Sequence, residues 1–263
     1  MTDLVLAQQR GAIAEVVLNR PDKLNAGNWP LMEALDRALD HVEAMSGARV
    51  VILRGEGRAF CAGIDLMGFE HMVDKFGPDW RENLFPLTAG FQAVFNRIEA
   101  CSLPVIALLH GHAIGLGCEM ALACDVRIAA EGTKFGLPET KLGLIPDVGG
   151  TTRLTRLVGP GRAKELIMTG RNVDLAEAER WGLINYVVPQ DQLMAKAESL
   201  AEELAHAAPL AVSYAKRVIN NLADVQRGLQ FEAWAQSVLM RSEDFMTGAQ
   251  AAMTKTPPEW KGK

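Results

Sequence analysis

Apolar residues follow two different rhythms along the opening of the chain. Residues 4–9 and 12–19 are short runs joined at Gly11, and the second, AIAEVVLN, is mostly apolar with β-branched side chains. Both are predicted as strands. Asn28 then offers an N-cap, and Pro30 falls in the first helical turn, where its missing N–H costs nothing. Behind it Leu31, Leu35, Ala38, Val42 and Met45 recur at helical spacing, which predicts an amphipathic helix. VVILR (50–54) reads as a buried strand, so the opening is strand, strand, helix, strand.

Residues 67–82 mix Gly, Pro, Asp and aromatics without a steady period, which predicts a loop or partly helical lid. A helix with Phe91, Val94, Phe95 and Ile98 on one face follows. PVIALLHG (104–111) and DVRIAA (125–130) read as strands around a short helix over 117–123. A long helical region starts near Gly149, punctuated by Gly159, Gly170 and Gly182, and INYVVP (184–189) is a late strand. Everything after Gln192 reads helical, broken at Pro209 and ending in the Pro257-Pro258 tail. Alternating strands and helices predict an α/β core over residues 1–191, and the rest a helical lobe over 192–263. No repeat or low-complexity segment is apparent.

The 263 residues suffice for one large core, with or without a smaller lobe. Hydrophobic residues at 49% and charged ones at 22% make an ordinary globular mixture. A net charge of −5 argues against nucleic acid as a partner, since phosphate binding needs a basic surface. Lys and Arg form no run, so a polybasic membrane patch is not expected, nor is a spanning helix, because no stretch of about 18 apolar residues occurs. The N-terminus lacks a charged-then-apolar signal layout and reads as strand. Cys61, Cys101, Cys118 and Cys124 lack metal-type spacing and fit small buried thiols in a reducing compartment, expected to be the cytoplasm.

Several common chemistries lose their usual support. The chain has no GxGxxG after a strand, no GxxxxGK[ST], no HExxH and no GxSxG. His110 and His112 form an HxH at a strand end, but no Cys or carboxylate stands at ligand spacing, so hydrogen-bonded histidines are expected. His41, His71 and His206 are scattered, and neither a metal site nor any cofactor is predicted.

Three segments carry the candidate chemistry. In GRAFCAGIDL (57–66), Ala62 and Gly63 let backbone approach a ligand closely, and Asp65 is placed to cap the next turn. In GHAIGLGCEMALACD (111–125), a strand runs through Gly115-Leu116-Gly117 into a helix whose N-terminus offers unpaired N–H groups to a negative oxygen. Glu119 lies in that helix's first turn, where a carboxylate also simply complements the helix dipole. In KFGLPETKLGLIPDVGGTTRLTRLVG (134–159), Pro138 forces an extended approach to Glu139, and Asp147 precedes Gly149-Gly150, where capping the next helix is an alternative role.

With LNRPDKLNA (18–26) ahead of them, these segments resemble the four signatures of the enoyl-CoA hydratase/isomerase (crotonase) family, most closely its hydratases. The resemblance runs from about Val5 to the C-terminal tail. It implies an α/β spiral of strand-strand-helix units with a C-terminal helical lobe that builds homotrimers, often paired into homohexamers. It implies an acyl-CoA substrate, as in fatty-acid β-oxidation, with coenzyme A entering only as part of that substrate. By position matching, the backbone N–H groups of Ile64 and Leu116 form an oxyanion hole for the thioester enolate. Substrate contacts map to Lys23, Leu24 and Ala26, to Ala62 through Met67 (Ala62, Gly63, Ile64, Asp65, Leu66, Met67), to Gly115, Leu116 and Pro138, and to Lys255.

The same resemblance gives Glu119 the task of holding and activating water, and Glu139 that of delivering a proton to Cα. The two can meet only if strand DVRIAA and the turn at Glu131-Gly132 fold the chain back. Two departures stand out. Leu116 replaces the usual second glycine of the GGG run and brings a bulky side chain near the acyl channel, and Ala252 stands where an aromatic is common. Asp147 keeps a second activity open, double-bond isomerisation of enoyl- or dienoyl-CoA with Glu139 and Asp147, because such relatives carry an acid at the matching position. A non-catalytic acyl-CoA-binding subunit is the third alternative. The 67–95 segment, with Met67, Phe69, Phe76, Trp80 and Phe85, is expected to line or cover the acyl pocket or to form subunit contacts, and the acyl group itself stays open.

Overall fold

Gly11, with φ of 60°, turns β1 (Val5–Arg10) back onto β2 (Ile13–Leu18), which pair antiparallel in the register Val5↔Leu18 to Arg10↔Ile13. In this computed structural model, residues 3–82, 84–207, 209–220, 233, 236–237, 240–256 and 258 are described. From β2 onward the large sheet is parallel: β3 (Val50–Gly55), β4 (Val105–Leu109), β6 (Val126–Ala130) and β9 (Tyr186–Val188) follow in the order β1-β2-β3-β4-β6-β9. Parallel neighbours need crossovers. The first is α1 (Trp29–Glu43), whose Asn28 side chain accepts from Leu31 N at 3.0 Å, as its cap position predicts.

Both faces of the sheet are covered, which explains its uninterrupted apolar strands. Val51 and Leu53 of β3 face the main core with Leu31, Leu35 and Leu39 of α1 and with Phe95 and Ile98 of α3 (Phe85–Ala100). Val50 and Ile52 face the other way, packing with Ile106, Leu108 and Ile128 against Leu193, Ala197 and Ala201 of α7 (Leu193–His206).

A second, small sheet is absent from the expectations above. It joins β5 (His112–Ile114), β7 (Lys134–Gly136) and β8 (Asn172–Val173), with β5 and β7 parallel and β7 and β8 antiparallel. Strands of two or three residues carry no readable period, so only their pairing reveals them. Between β5 and β6 lies α4 (Leu116–Leu122), starting one residue earlier than predicted.

The lid segment is partly helical, with a 3-10 turn at Leu66–Phe69 leading into α2 (Glu70–Phe76). It docks on Trp29 of α1, whose ring meets Phe76 edge-on at 5.1 Å and lies 4.2 Å from the Lys75 ammonium. The long helix α5 (Gly150–Thr169) is broken at Gly159, which takes φ 78° and ψ 163° before Pro160. Gly170 then ends it in the left-handed region, and Asp174 caps α6 (Leu175–Arg180) through Glu177 N at 3.1 Å. Beyond α7, α8 (Pro209–Asn220) contacts α3, and α9 (Glu243–Thr254) lies against the turn at Glu139–Leu142. The helix expected over 221–232 and Pro257 of the tail lie outside the described residues. Among the described residues no helix is long and apolar enough to cross a membrane.

Candidate active site

Gly27 is the hinge of the site. Its N–H donates to Gly63 O and its carbonyl accepts from Asp65 N, both at 2.8 Å, so the loop after β3 pairs with the segment leading into α1. In such a pairing alternate residues point opposite ways. Ile64 N–H therefore faces away from Gly27, and it has no acceptor among the described residues. Cys61 N donates to His112 O and Ile114 N to Cys61 O, which seats the same loop against β5. The chain then turns at Gly115 (φ 54°, ψ −122°) into α4, whose first N–H, on Leu116, is one that no helix satisfies internally. Gly117 is a glycine because a Cβ there would overlap the Cys61 carbonyl.

Glu119, one turn into α4, is 2% exposed. Its Oε1 accepts from Val148 N at 2.8 Å and from Gly150 N at 2.9 Å. The carboxylate thus anchors the loop that starts α5, a contact the dipole reading did not foresee. A Cβ at residue 150 would lie 2.9 Å from that oxygen and 2.5 Å from Pro146 Cβ, so glycine is required there.

Glu139 arrives by the predicted fold-back through β6 and the turn at Glu131-Gly132, then by the unpredicted β7, at the start of the 3-10 turn Glu139–Leu142. Its Oε2 is buried and has no hydrogen-bond partner among the described residues. Burial pushes its pKa up to about 8, and the nearby negative charge of Asp147 adds to the rise against a backbone hydrogen bond that lowers it. Burial therefore favours the protonated, neutral form of Glu139.

Asp147 Oδ2 accepts from Thr88 Oγ at 3.1 Å, and its carbonyl accepts from Gln92 Nε2 at 2.6 Å. The cap position of α5 belongs to Gly149, with φ of 107°. Thr88 and Gln92 escaped the sequence reading. Their signal was a polar pair one helical turn apart inside the apolar stripe of Phe91, Val94 and Phe95.

All three carboxyl residues border one cavity of about 210 Å³, together with Ile64 and Leu116. Of the expected substrate contacts, Ala62, Gly63, Leu66, Gly115 and Pro138 also line it. Lys23, Leu24, Ala26, Asp65, Met67 and Lys255 do not. Leu24 and Ala26 instead support the wall: Leu24 O accepts from Ala62 N at 3.0 Å, and Ala26 O accepts from Arg20, which also pairs with Asp65 at 3.0 Å. Asp65 caps the next turn as predicted, through Met67 N at 3.2 Å. Lys23 and Lys255 are exposed.

The 67–95 segment does line the cavity, but not through Met67, Phe76, Trp80 or Phe85. Met67 and Phe85 are exposed, Phe76 packs on Trp29 and Trp80 is buried off the cavity, while the Phe69 side chain lies outside what is described. Met72, Leu84, Leu87, Phe91 and Leu144 form the apolar wall instead. The four cysteines are unpaired and buried, and burial raises the thiols of Cys61 and Cys101 to about 11, which leaves no thiolate nucleophile there. His110 Nε2 meets Gly57 O at 3.1 Å, the hydrogen-bonded arrangement expected of that member of the HxH pair. Among the described residues no group of three or more His, Cys, Asp or Glu is placed to hold a metal ion.

A family model described as enoyl-CoA hydratase/isomerase matches residues 8–263. The chain is similar to the short-chain-enoyl-CoA hydratase of Clostridium acetobutylicum, 39% identical over 91% of this chain and 90% of that protein. It is also similar to a mitochondrial Delta(3,5)-Delta(2,4)-dienoyl-CoA isomerase of Dictyostelium discoideum, 35% identical over 95% of this chain and 87% of the other. Among solved structures, an enoyl-CoA hydratase from Bacillus anthracis superposes with a TM-score of 0.76 at 38% identity, covering 99% of this chain and all of that one.

Proposed function

The chain belongs to the enoyl-CoA hydratase/isomerase family, and on that footing we propose that it adds water across the 2,3-double bond of a trans-2-enoyl-CoA, with Glu119 and Glu139 as its acid/base pair. One observation carries the reading: both glutamates border a single cavity with Ile64 and Leu116, whose N–H groups have no acceptor among the described residues, and burial favours the protonated form of Glu139.

The thioester oxygen accepts from Ile64 and Leu116. Conjugation then draws electrons from Cβ toward that oxygen, so the grip makes Cβ electrophilic and stabilises the enolate, at about 2.7–4 kcal/mol of barrier for one such donor. Glu119, its carboxylate seated by two N–H donors, takes a proton from water as the oxygen bonds to Cβ. Glu139 gives its proton to Cα, which collapses the enolate to the saturated 3-hydroxyacyl thioester. Transfer of the proton from Glu119 back to Glu139, directly or through solvent, restores the starting state. Acids, bases and hydrogen bonds suffice, so the reading calls for no metal or redox cofactor. The apolar wall suits an acyl tail, and the unpaired cysteines suit a reducing cytoplasm.

Loss of the conjugated-thioester absorbance of crotonyl-CoA and longer enoyl-CoAs is the expected result with pure protein. No loss at any chain length refutes the reading. The isomerase alternative has its own support, since Asp147, fixed by Thr88, shares the cavity with Glu139. Running the assay in oxygen-labelled water separates the two: a hydratase incorporates label and an isomerase does not. Homotrimers, or hexamers made of two, belong to the same reading, supported by the exposed Tyr214, Ile219, Met246 and Met253 on the last helices. A sedimentation mass of one chain would overturn that assembly.

A further inference from the structure

Leu116 supplies one N–H of the oxyanion hole and also carries a side chain that must go somewhere. It is 5% exposed and borders the cavity. Its Cδ2 occupies the place where a side chain at residue 27 would begin: a Cβ there would overlap Leu116 Cδ2, with Leu116 Cγ and Met32 Cε each at 3.6 Å. The isobutyl group therefore folds against the Gly27 backbone instead of standing across the cavity. That backbone is the piece that clamps the Ile64 loop through Gly63 O and Asp65 N.

Resting on the acyl-CoA reading above, we propose that Gly27 and Leu116 act together as a specificity-determining pair, in which the notch at Gly27 parks the Leu116 side chain and so keeps the acyl route open. The colliding atom is the far end of a flexible side chain, so an added Cβ displaces Leu116 rather than the backbone. The open volume beside Leu116 is the cavity, and displacement narrows it. An acyl tail that runs past Leu116 is then obstructed, while a short one is less affected.

Calorimetric titration with butyryl-CoA and octanoyl-CoA tests this. Both carry the thioester and a tail but no double bond, so binding reads the pocket whether or not the protein hydrates anything. Gly27→Ala is expected to weaken octanoyl-CoA binding about tenfold and butyryl-CoA binding by less. Adding Leu116→Ala to that variant should return octanoyl-CoA to within about threefold of the original. Leu116→Phe, which leaves the Gly27 backbone untouched but overfills the notch, should give the same selective loss and replaces Gly27→Ala should that variant misfold. Unchanged binding in the folded single variants, an equal loss for both ligands, or no rescue by the second substitution overturns the pair. Wild-type binding of both ligands without turnover of any enoyl-CoA refutes the hydratase reading and leaves the pair standing. No binding of either ligand overturns both.

Discussion

Replacing Glu139 with Gln is expected to lower kcat about 10²–10⁴-fold while making the fold more stable at neutral pH. The amide matches the carboxylic acid in shape and, like the protonated acid, is neutral, so the cavity and KM should change little. It cannot release a proton to Cα. The stability gain follows from where the proton sits. The carboxyl's ordinary value is 4.5 and its folded value about 8, so between those pH values the folded chain holds a proton that the unfolded chain has lost. Stability therefore falls as pH rises from about 4.5 to about 8. Gln never ionises and removes that loss, worth on the order of 1–3 kcal/mol at pH 7, or several degrees in Tm. Thermal melts of both proteins from pH 5 to 8 should show a gap that widens with pH. In parallel, wild-type kcat/KM for hydration should decline above about pH 8 as the acid form disappears. Equal melting at every pH would show that Glu139 is not held as a buried acid.

The parts of this molecule legible in its sequence are those specified locally. The Asn28 cap, the apolar stripe of α1 and the buried runs of β3, β4 and β6 depend on periodicity and on neighbours within a few positions, and each stands where the pattern put it. The glycine turn into α4 was equally plain, because a strand that meets Gly115 and then a helix leaves free N–H groups whatever surrounds it. What stayed hidden depends on pairs distant in the chain. The β5-β7-β8 sheet is held by pairings of two or three residues each. Glu119 finds Val148 and Gly150, and Thr88 finds Asp147, only after the spiral closes. Leu116 was readable as a bulky intruder, but not its accommodation, because the space it uses is the missing side chain of Gly27. The 67–95 segment reaches the cavity through other residues than its most conspicuous ones: Phe76 packs on α1, Phe85 faces solvent and Trp80 is buried elsewhere, while Met72, Leu84, Leu87 and Phe91 form the wall.

Glu119→Gln and Glu119→Ala should fail differently, and the difference separates catalysis from architecture. In the Gln variant the side-chain amide oxygen can still accept from Val148 and Gly150, so the start of α5 stays seated and the fold survives. Water activation is lost, because an amide is no base at neutral pH, and hydration should drop about 10²–10⁴-fold with acyl-CoA binding nearly unchanged. The Ala variant removes the acceptor altogether. Two buried N–H groups lose their partner, at about 1–3 kcal/mol each where water does not replace it. The loop carrying Asp147 then loosens with them, so Ala should lower Tm and weaken binding as well as activity. Melting curves and octanoyl-CoA titrations on both variants read the distinction. A Gln variant that hydrates at the wild-type rate would leave Glu119 as an anchor for α5 and nothing more, and the base would have to be sought at Asp147, the third carboxyl group bordering the same cavity among the described residues.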